Sequence, residues 1–336
     1  MLKGCLTNKT KAFDANYMAS NLYALATARG ANKDKLLHGT GIFTDDFTNN
    51  RLLSVNQLLI LIQNAQHLCS GHDIAFQFGH SLVNTIDAQY PDLVNALKST
   101  SDFIGCMRVL SIMNVQIFPF MSAHTFKDPD NIYIVLQDSI GLRKNQTFMI
   151  EASCTALVAM SKTCIGRRLK FSFSFPFARP KHIYEYEENL GSRLTFSHPM
   201  LTIKLPISET TISCPDRHPG LNRYAVKTVI NKRLYKFSLM DKIRSQLRSK
   251  PGRTLPELAT LNSLSQASFK RILKEHNISF QQLVDELCCQ EALYYLQIQK
   301  LKNEQSAAYM RFNDVNNFRR AVKRCTGLTP SELRQT

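Results

Sequence analysis

The sequence predicts two folded units, an α+β domain followed by an all-α domain. Apolar residues recur every three to four positions over residues 52–65 and again over 91–110, which is the period of a helix with one buried face. Apolar residues then alternate with other residues over 132–137, 171–177 and 201–207, which is the period of a strand. From Leu239 onward only helical periods occur. Helices followed by strands, without a regular βαβ rhythm, favour an α+β first domain.

The composition is that of a folded and basic protein. The chain has 336 residues, of which 44% are apolar, so two domains with ordinary cores are expected. Lys and Arg number 42 against 26 Asp and Glu, which gives a net charge of +16. This excess favours nucleic acid as a partner and, second, an acidic membrane surface, although an inert basic surface also fits.

The sequence predicts a soluble, cytoplasmic protein with no membrane partner. The N-terminus lacks the apolar run of a secretory signal, and the apolar run at 58–62 is far shorter than the roughly 20 residues of a membrane span. Nine scattered cysteines, an odd number, are typical of reduced thiols rather than of a disulfide framework.

We divide the chain into four parts. Residues 1–24 form an N-terminal segment, 25–216 the α+β domain, 217–237 a basic linker and 238–336 the all-α domain. The linker assignment depends on charge, because no acidic residue lies between Asp216 and Asp241 while six Lys and Arg residues do. Such a run is usually a solvated linker, and it could also add phosphate contacts beside a DNA-binding domain.

Residues 254–280 have the pattern of a helix-turn-helix. Thr254 is an N-cap residue type, Asn262 and Ser263 suit a tight turn, and Ser265 suits the N-cap of a second helix. The outer face of that second helix carries Gln266, Ala267, Lys270, Arg271 and Lys274. A helical hairpin with a solvated basic face fits this segment about as well.

The pattern is repeated near the C-terminus. Residues 301–312 suggest a helix and a turn, and Asp314 suits the N-cap of a helix over 315–325. Gly327 is a helix stop, and the Thr-Pro-Ser-Glu sequence at 329–332 predicts the capped start of one more helical turn. The outer face of the 315–325 helix carries Asn316, Arg319, Arg320 and Lys323.

Residues 239–334 resemble the DNA-binding domain of the AraC/XylS family of bacterial regulators. The tail FRRAVKRCTGLTPSELR, residues 318–334, follows the family pattern of Phe, any residue, Arg-Ala-Phe-Lys-Arg-Trp-Thr-Gly, then Ser-Pro and a terminal Arg. A resemblance over nearly a hundred residues is far more specific than any short motif. It implies two helix-turn-helix units joined by one long helix, with recognition helices in successive major grooves about 34 Å apart.

The resemblance also implies roles for individual residues. Base-reading positions are Gln266, Ala267, Lys270 and Arg271 in the first unit, with Asn316, Asn317 and Arg320 in the second. Phosphate-binding positions are Lys274, Lys323 and Arg324.

Five residues depart from the family pattern. Cys288 replaces Arg, Cys325 replaces Trp, Asn303 and Ser306 replace apolar residues, and Arg311 replaces the Gly of the second turn. Polar residues on an inward face weaken a small core, and Arg at positive φ costs about 1 kcal/mol or more. We therefore expect the first unit to carry more of the base readout, while the second leans on phosphate. A shifted local structure that absorbs these residues is the alternative.

Residues 29–216 resemble, more loosely, the arabinose-binding-like N-terminal domain of one branch of that family. The resemblance depends on residues 36–41, 73–79 and the late strands within 170–207. It implies a small-molecule effector without fixing which one. We expect any pocket where the Phe171–Phe175 stripe meets the helix around 103–110. Arg108, Arg167 and Arg168 are candidates for an anionic headgroup, with solvated or salt-bridged roles as the alternative.

No catalytic grouping is recognisable. The sequence has no Gly-x-Ser-x-Gly, phosphate-binding loop or dinucleotide fingerprint. His67, Cys69 and His72 are close together but lack a fourth ligand, so a helix-end His and a core Cys are the better interpretation. We expect no enzyme activity, no cofactor and no metal.

The sequence therefore favours a regulator that binds promoter DNA, responds to an effector and contacts RNA polymerase. Homodimerisation is expected from the family resemblance alone. A different hypothesis is a metabolite-processing enzyme tethered to a nonspecific basic domain. A third is a regulator that has lost its sensor and acts through abundance.

Overall fold

The computed structural model describes residues 4–49 and 51–336. Its helices are α1 Met18–Ala28, α2 Lys33–Leu37, α3 Val55–Leu68, α4 Ile74–Gln89, α5 Pro91–Lys98, α6 Phe103–Ile117, α7 Gln146–Ile165, α8 Ile183–Leu190, α9 Ile207–Thr210, α10 Pro219–Lys232, α11 Leu239–Ser249, α12 Leu255–Leu261, α13 Gln266–Glu275, α14 Phe280–Ala292, α15 Asn303–Tyr309, α16 Val315–Thr326 and α17 Pro330–Gln335. Its strands are β1 Cys5–Leu6, β2 Lys11–Asp14, β3 Leu52–Ser54, β4 Met121–Lys127, β5 Asn131–Asp138, β6 Ser172–Ser174, β7 Leu194–Thr195, β8 Thr202–Pro206 and β9 Phe237–Ser238.

A five-stranded sheet lies in the N-terminal domain in the order β4-β5-β8-β6-β7. Strands β4 and β5 form an antiparallel hairpin with Met121 opposite Asp138, and β8 pairs antiparallel with both β5 and β6. The three segments with period-two alternation contain β5, β6 and β8, so the strand predictions are confirmed. Phe171, Phe173 and Phe175 are buried, as a stripe on one face of a strand should be.

The helices of this domain pack on one another and on the sheet. The predicted helix over 52–65 is α3, preceded by the short strand β3, while the stretch 91–110 is two helices, α5 and α6. The break follows from Asp102, whose carboxylate accepts a hydrogen bond from the Gly105 amide and starts a new helix. Helices α4 and α7 cross closely at Gly79, where a Cβ would lie 2.5 Å from the Ala152 carbonyl oxygen.

Helix α7 is the apolar centre of the domain. In the part of the chain that the structure describes, Arg143–Ile165 is the one helical stretch long and apolar enough to cross a membrane, and its apolar window is 78% buried inside the protein. The buried Glu151 carboxylate accepts a hydrogen bond from Tyr186 of α8. Burial raises the pKa of Glu151 to about 7.

Residues 4–24 and the basic stretch 217–237 are both more structured than their sequences indicated. Strand β1 pairs in parallel with β9, strand β2 pairs with β3, and α1 begins within the N-terminal segment. Most of the basic stretch is helix α10, which packs against α5 and α6. Ala225 and Val229 are buried on the inner face of α10, and the Asn222 side chain of the same helix donates to the Ala96 carbonyl at 2.8 Å. The charged residues of α10 therefore mark its outer face.

The C-terminal domain is entirely helical apart from β9 and contains two small cores. The first core lies between α11, α12, α13 and the start of α14 and includes Ile243, Leu258, Phe269 and Leu283. The second is formed by the end of α14, α15, α16 and α17. The predicted fold class, an α+β domain followed by an all-α domain, is confirmed.

Candidate nucleic-acid interface

The first helix-turn-helix unit consists of α12 and α13. The Thr254 and Glu257 side chains cap each other's backbone amides at the start of α12, and the Ser265 hydroxyl accepts from the Ser268 amide at the start of α13. Between the helices Ser263 has φ 55°, the left-handed conformation that reverses the chain in a tight turn. The caps and the turn lie where the sequence predicted them.

Helix α13 has one buried face and one cationic face. Phe269 and Leu273 are buried against α12, which holds the helix in place. The predicted base-reading and phosphate-binding side chains of this unit are all exposed: Gln266, Ala267, Lys270, Arg271 and Lys274. Among the described residues, none of its three cationic side chains lies in an ion pair. They are therefore free to contact an anionic ligand.

A long helix joins the two units. Helix α14 continues through a π-helical turn, Leu293–Ile298, without leaving the helical region. Leu283 belongs to the core of the first unit, and Cys289, Leu293 and Leu296 belong to the core of the second. One rigid element therefore sets the relative position of the two recognition helices.

The second unit consists of α15 and α16 and is closed by α17. The Asp314 carboxylate accepts from the amides of Asn316 and Asn317 at 3.2 and 3.1 Å, and Gly327 ends α16 in a left-handed conformation. The outward side chains are exposed: Asn316, Asn317, Arg319, Arg320, Lys323 and Arg324. Arg324 also lies 2.9 Å from Asp285 of α14, so its charge is partly engaged within the protein.

The departures in the second unit have local structural consequences. Ser306 is fully buried, and its hydroxyl has no hydrogen-bond partner among the described residues. Arg311 has φ 63°, the conformation that a Gly would adopt more easily. The Asn303 side chain is half-buried and accepts from Arg334 at 2.8 Å, so its polarity is satisfied. The unit keeps its helix-turn-helix form, but the Ser306 hydroxyl and the positive φ of Arg311 lower its stability.

The two cysteine departures touch each other. The sulfur atoms of Cys288 and Cys325 are 3.5 Å apart, which joins the linking helix to α16. The hydrogen-bonded contact between the two thiols and burial raise the pKa of Cys288, so the thiol form predominates at neutral pH.

The N-terminal domain holds the first unit at the end of its recognition helix. Lys9 forms an ion pair with Glu275 at 3.1 Å, and the Asn8 amide donates to His276 Nε2 at 3.3 Å. The Asn277 side chain donates to the Gly141 carbonyl at 3.2 Å. These contacts leave the outer face of α13 exposed while fixing its C-terminal end.

A buried charged network supports the same interface. Arg244 of α11 is 1% exposed and donates to the Asp138 carbonyl at 2.6 Å and to Glu286 at 2.8 Å. It also lies 3.3 Å from Asp241, whose carboxylate accepts from Ser122 of β4 at 2.5 Å. Burial raises the pKa of Glu286, whereas Arg244 acts in the opposite direction. Sequence reasoning missed this network because Ser122, Asp138 and Glu286 lie far from α11 along the chain.

The linking helix contacts the N-terminal domain as well. The rings of Phe126 and Tyr294 stack with centroids 4.9 Å apart, and His198 lies 3.2 Å from the Gln297 side chain. Burial lowers the pKa of His198, so the ring is neutral at this contact at physiological pH.

The arginines suggested for an anionic headgroup do not line the apolar cavity between α4, α6 and α7. Arg108 is exposed, Arg167 lies 3.1 Å from Glu209, and Arg168 donates to the Asn189 carbonyl at 3.1 Å. The cavity nevertheless borders α6 through Met107 and Leu110, within the helical region named from the sequence.

His67, Cys69 and His72 each have different surroundings in the fold. His67 lies in the last turn of α3 and contacts the Gln63 carbonyl, Cys69 is buried, and His72 stacks on His182 with centroids 4.1 Å apart. Within residues 4–49 and 51–336, no three His, Cys, Asp or Glu side chains are placed to hold a metal ion.

Comparison with known protein families supports the interpretation of both domains. Residues 30–206 match the model of the arabinose-binding domain of AraC transcription regulators, and residues 258–336 match that of a helix-turn-helix domain. The chain belongs to the AraC family of transcription regulators. This result confirms the resemblance found in the sequence.

One curated relative is a Pseudomonas aeruginosa protein named ornithine utilization regulator. It is 24% identical over 204 residues, which are 59% of this chain and 60% of the relative. The match thus spans about 60% of the relative's length. Among solved structures, the transcriptional regulator CdpR from Pseudomonas aeruginosa aligns with 80% of this chain and 88% of its own, at 16% identity and a TM-score of 0.37.

Proposed function

We propose that this AraC-family chain reads promoter DNA through α13 and α16 and that a small molecule bound to its N-terminal domain controls how those helices are presented. The observation that carries the proposal is the pair of capped helices, each with a buried inner face and an exposed cationic outer face, on one rigid linking helix. In α13, Lys270 and Arg271 are placed to read bases in the major groove, and Lys274 to bind phosphate.

The second unit contributes with a different balance. Asn316, Asn317 and Arg320 are its base-reading positions, and Lys323 and Arg324 its phosphate contacts. Among the described residues the buried Ser306 hydroxyl has no hydrogen-bond partner, which destabilises the core under α16. We therefore assign the larger share of sequence specificity to the first unit.

Domain boundaries and partners complete the proposal. The DNA-binding domain is 238–336 and the sensor domain is 25–216, with α10 packed on the sensor domain. We place the regulator in the cytoplasm, as a homodimer that contacts RNA polymerase and catalyses no reaction. Ornithine and other amino acids belong in an effector panel, since the Pseudomonas aeruginosa relative is named for ornithine utilization.

The test is DNA binding by the full chain, comparing the upstream region of its own gene with a scrambled duplex across a salt series. We expect a specific preference on the order of a thousandfold at physiological salt. Lys270→Ala and Arg271→Ala should each cost about 1–3 kcal/mol on the specific site.

A matched control removes two charges elsewhere. Arg223 and Lys227 lie exposed on α10, four residues apart, outside both units. The double variant Arg223→Ala/Lys227→Ala should keep the ratio of specific to scrambled binding. Equal binding of wild type to both duplexes, lost steeply with salt, would show phosphate contact alone and refute sequence reading.

A further inference from the structure

A cavity of about 480 Å³ extends from the interface between the two domains into the N-terminal domain. It lies between α4, α6, α7 and the β4–β5 hairpin, and its open end is bordered by β9 and α11 of the DNA-binding domain. This volume is within the range of about 300–1,000 Å³ for sites that enclose drug-sized molecules.

The interior of the cavity is apolar. Its walls include Leu82 and Ile86 of α4, Leu110 of α6, Ile134 of β5 and Leu157 of α7. The polar side chains among these walls use backbone carbonyls of their own surroundings: Ser111 donates to Arg108, Asn114 to Met121 and Ser153 to Met149. The interior therefore suits a hydrocarbon or aromatic body.

Polar groups gather where the cavity meets the DNA-binding domain. Gln137 donates to Ser122 at 3.2 Å, Ser122 donates to Asp241 at 2.5 Å, and Arg248 lies 3.4 Å from Gln137. The ring of Phe237 lies 5.3 Å from the Lys236 ammonium at the rim. This end of the cavity combines hydrogen-bonding groups with two cations.

Neither cation forms a close ion pair within the part of the chain that the structure describes. Among the described residues, no acidic side chain lies within 4.0 Å of Lys236 or Arg248, and only Nη2 of the half-buried Arg248 donates hydrogen bonds, to Gln137 and Gln290. The nearby Asp241 carboxylate is already engaged by serine hydroxyls and by Arg244. Burial and the charge of Arg244 lower the pKa of Arg248, while the carboxylates of Glu286, Asp241 and Glu291 act in the opposite direction without forming an ion pair with it.

We propose that this cavity binds an amphipathic organic anion, with the apolar body between α4, α6 and α7 and the carboxylate at Arg248. A half-buried guanidinium that forms no direct ion pair is stabilised by a ligand carboxylate that hydrogen-bonds to it. The proposal rests on the proposed function, because it identifies the chemistry of the effector and the place where it acts.

The same placement couples the ligand to domain docking. The apolar walls belong to the N-terminal domain. In contrast, Asp241 and Arg248 lie on α11, and Lys236 directly precedes β9. A ligand that touches both sides binds the docked arrangement better than an undocked one and shifts the population toward it. Ligand binding in the cavity should therefore stabilise the docking of the first unit against the N-terminal domain.

The binding test uses calorimetric titration of the full chain with three probes of equal tail length, decanoate, decan-1-ol and decylamine, below micelle-forming concentrations. We expect saturable binding of decanoate at least tenfold tighter than of decan-1-ol, and none of decylamine. Arg248→Gln should lose at least tenfold in decanoate affinity, while the control Arg108→Gln, on an exposed residue outside the cavity, should not.

A second variant tests the interior rather than the rim. Ala156 lines the cavity from α7, and Ala156→Phe should fill the space that the tail occupies and abolish decanoate binding. The docking readout is trypsin cleavage after Arg233 and Lys236, in the short connection between α10 and β9. Decanoate should slow this cleavage in wild type and leave it unchanged in Ala156→Phe.

The outcomes separate the two proposals. Equal affinity for the three probes, or decanoate binding unaffected by both Arg248→Gln and Ala156→Phe, overturns the anion site. Specific DNA binding by a chain that shows no saturable decanoate binding also overturns it and leaves the proposed function intact. Failure of sequence-specific DNA binding counts against the proposed function, whether or not decanoate binds.

Discussion

Gly141 lies where the backbones of the two domains meet, and adding one methyl group there should force them apart. It has φ +82°, and a Cβ at this position would lie 1.9 Å from the carbonyl oxygen of His276. Cβ atoms essentially never approach a neighbour within 3.0 Å, so Gly141→Ala requires the interface to open by at least 3.0 − 1.9 = 1.1 Å. Both contacting atoms belong to backbone, which a rotamer change cannot relieve.

The size of the effect follows from the contacts nearby. The Asn277–Gly141 and Asn8–His276 hydrogen bonds measure 3.2 and 3.3 Å, so a 1.1 Å opening takes both beyond hydrogen-bond range. Each is worth about 0.5–1.5 kcal/mol, which gives about 1–3 kcal/mol for the pair. Lowering the free energy of local opening by this amount makes the open state, in which the Asn8 amide is exposed, about 5 to 150 times more populated.

Hydrogen exchange measures that exposure directly. In Gly141→Ala the Asn8 amide should exchange about 5- to 150-fold faster than in wild type. Gly39→Ala is the matched control, because Gly39 has φ +73° and no heavy atom within 4 Å of a built Cβ. Both variants carry the backbone strain of Ala at positive φ, about 1 kcal/mol, and only one has the clash. Equal exchange of the Asn8 amide in the two variants would refute the interface described here.

Three further predictions concern stability. Glu151 has a pKa of about 7 in the folded protein and 4.5 ordinarily. Its contribution to the free energy of unfolding is therefore fully present below pH 4.5 and falls by about 3 kcal/mol as the pH rises through 7. The stabilities of wild type and Glu151→Gln, measured by urea unfolding, should diverge over that range, and parallel pH dependences would contradict the burial of Glu151. Ser306→Ala removes a buried hydroxyl that has no hydrogen-bond partner among the described residues, and it should stabilise the protein by about 1–2 kcal/mol. The control Ser331→Ala, on an exposed residue, should gain no more than about 0.5 kcal/mol, and equal gains would show that the Ser306 hydroxyl is solvated. Arg311→Gly should stabilise the protein by about 1 kcal/mol in the same assay, because it relieves the strain at positive φ. Arg311→Ala keeps that strain and removes the contact with Glu291 at 3.8 Å, so it measures the loss of the contact separately.

The sequence was most informative where structure depends on short-range rules. The N-caps at Thr254, Ser265 and Asp314 and the stop at Gly327 were predicted because each acts within one helical turn. The strained turn at Arg311 was predicted for the same reason, from the Gly that the family has at that position. Strands within 132–137, 171–177 and 201–207 were found through a period of two that survives in any context.

What the sequence missed depends on contacts between distant residues. Helix α7 could not be read from a one-sided stripe, because it is buried nearly all round and has no polar face. Helix α10 looked like a linker because its exposed residues are basic, while only Ala225 and Val229 are buried in its packed face. Arg248 was absent from the candidate ligand residues, since its position beside Gln137 depends on docking of the two domains. No local pattern carries that information.

The hydrogen bonds between the domains involve the first unit and the linking helix, while Met200 of the N-terminal domain packs against the second core. The N-terminal domain is hydrogen-bonded to α11, to the end of α13 and to the turn after α14, and among the described residues it has no hydrogen bond to α15, α16 or α17. The outer face of α13 stays exposed in this docked state. Under the proposed function, an effector therefore acts by fixing the orientation of the first unit and does not act by covering its DNA-reading face. The second unit follows through the linking helix, so its weaker core affects how firmly α16 is held without interrupting the path from the sensor domain to α13.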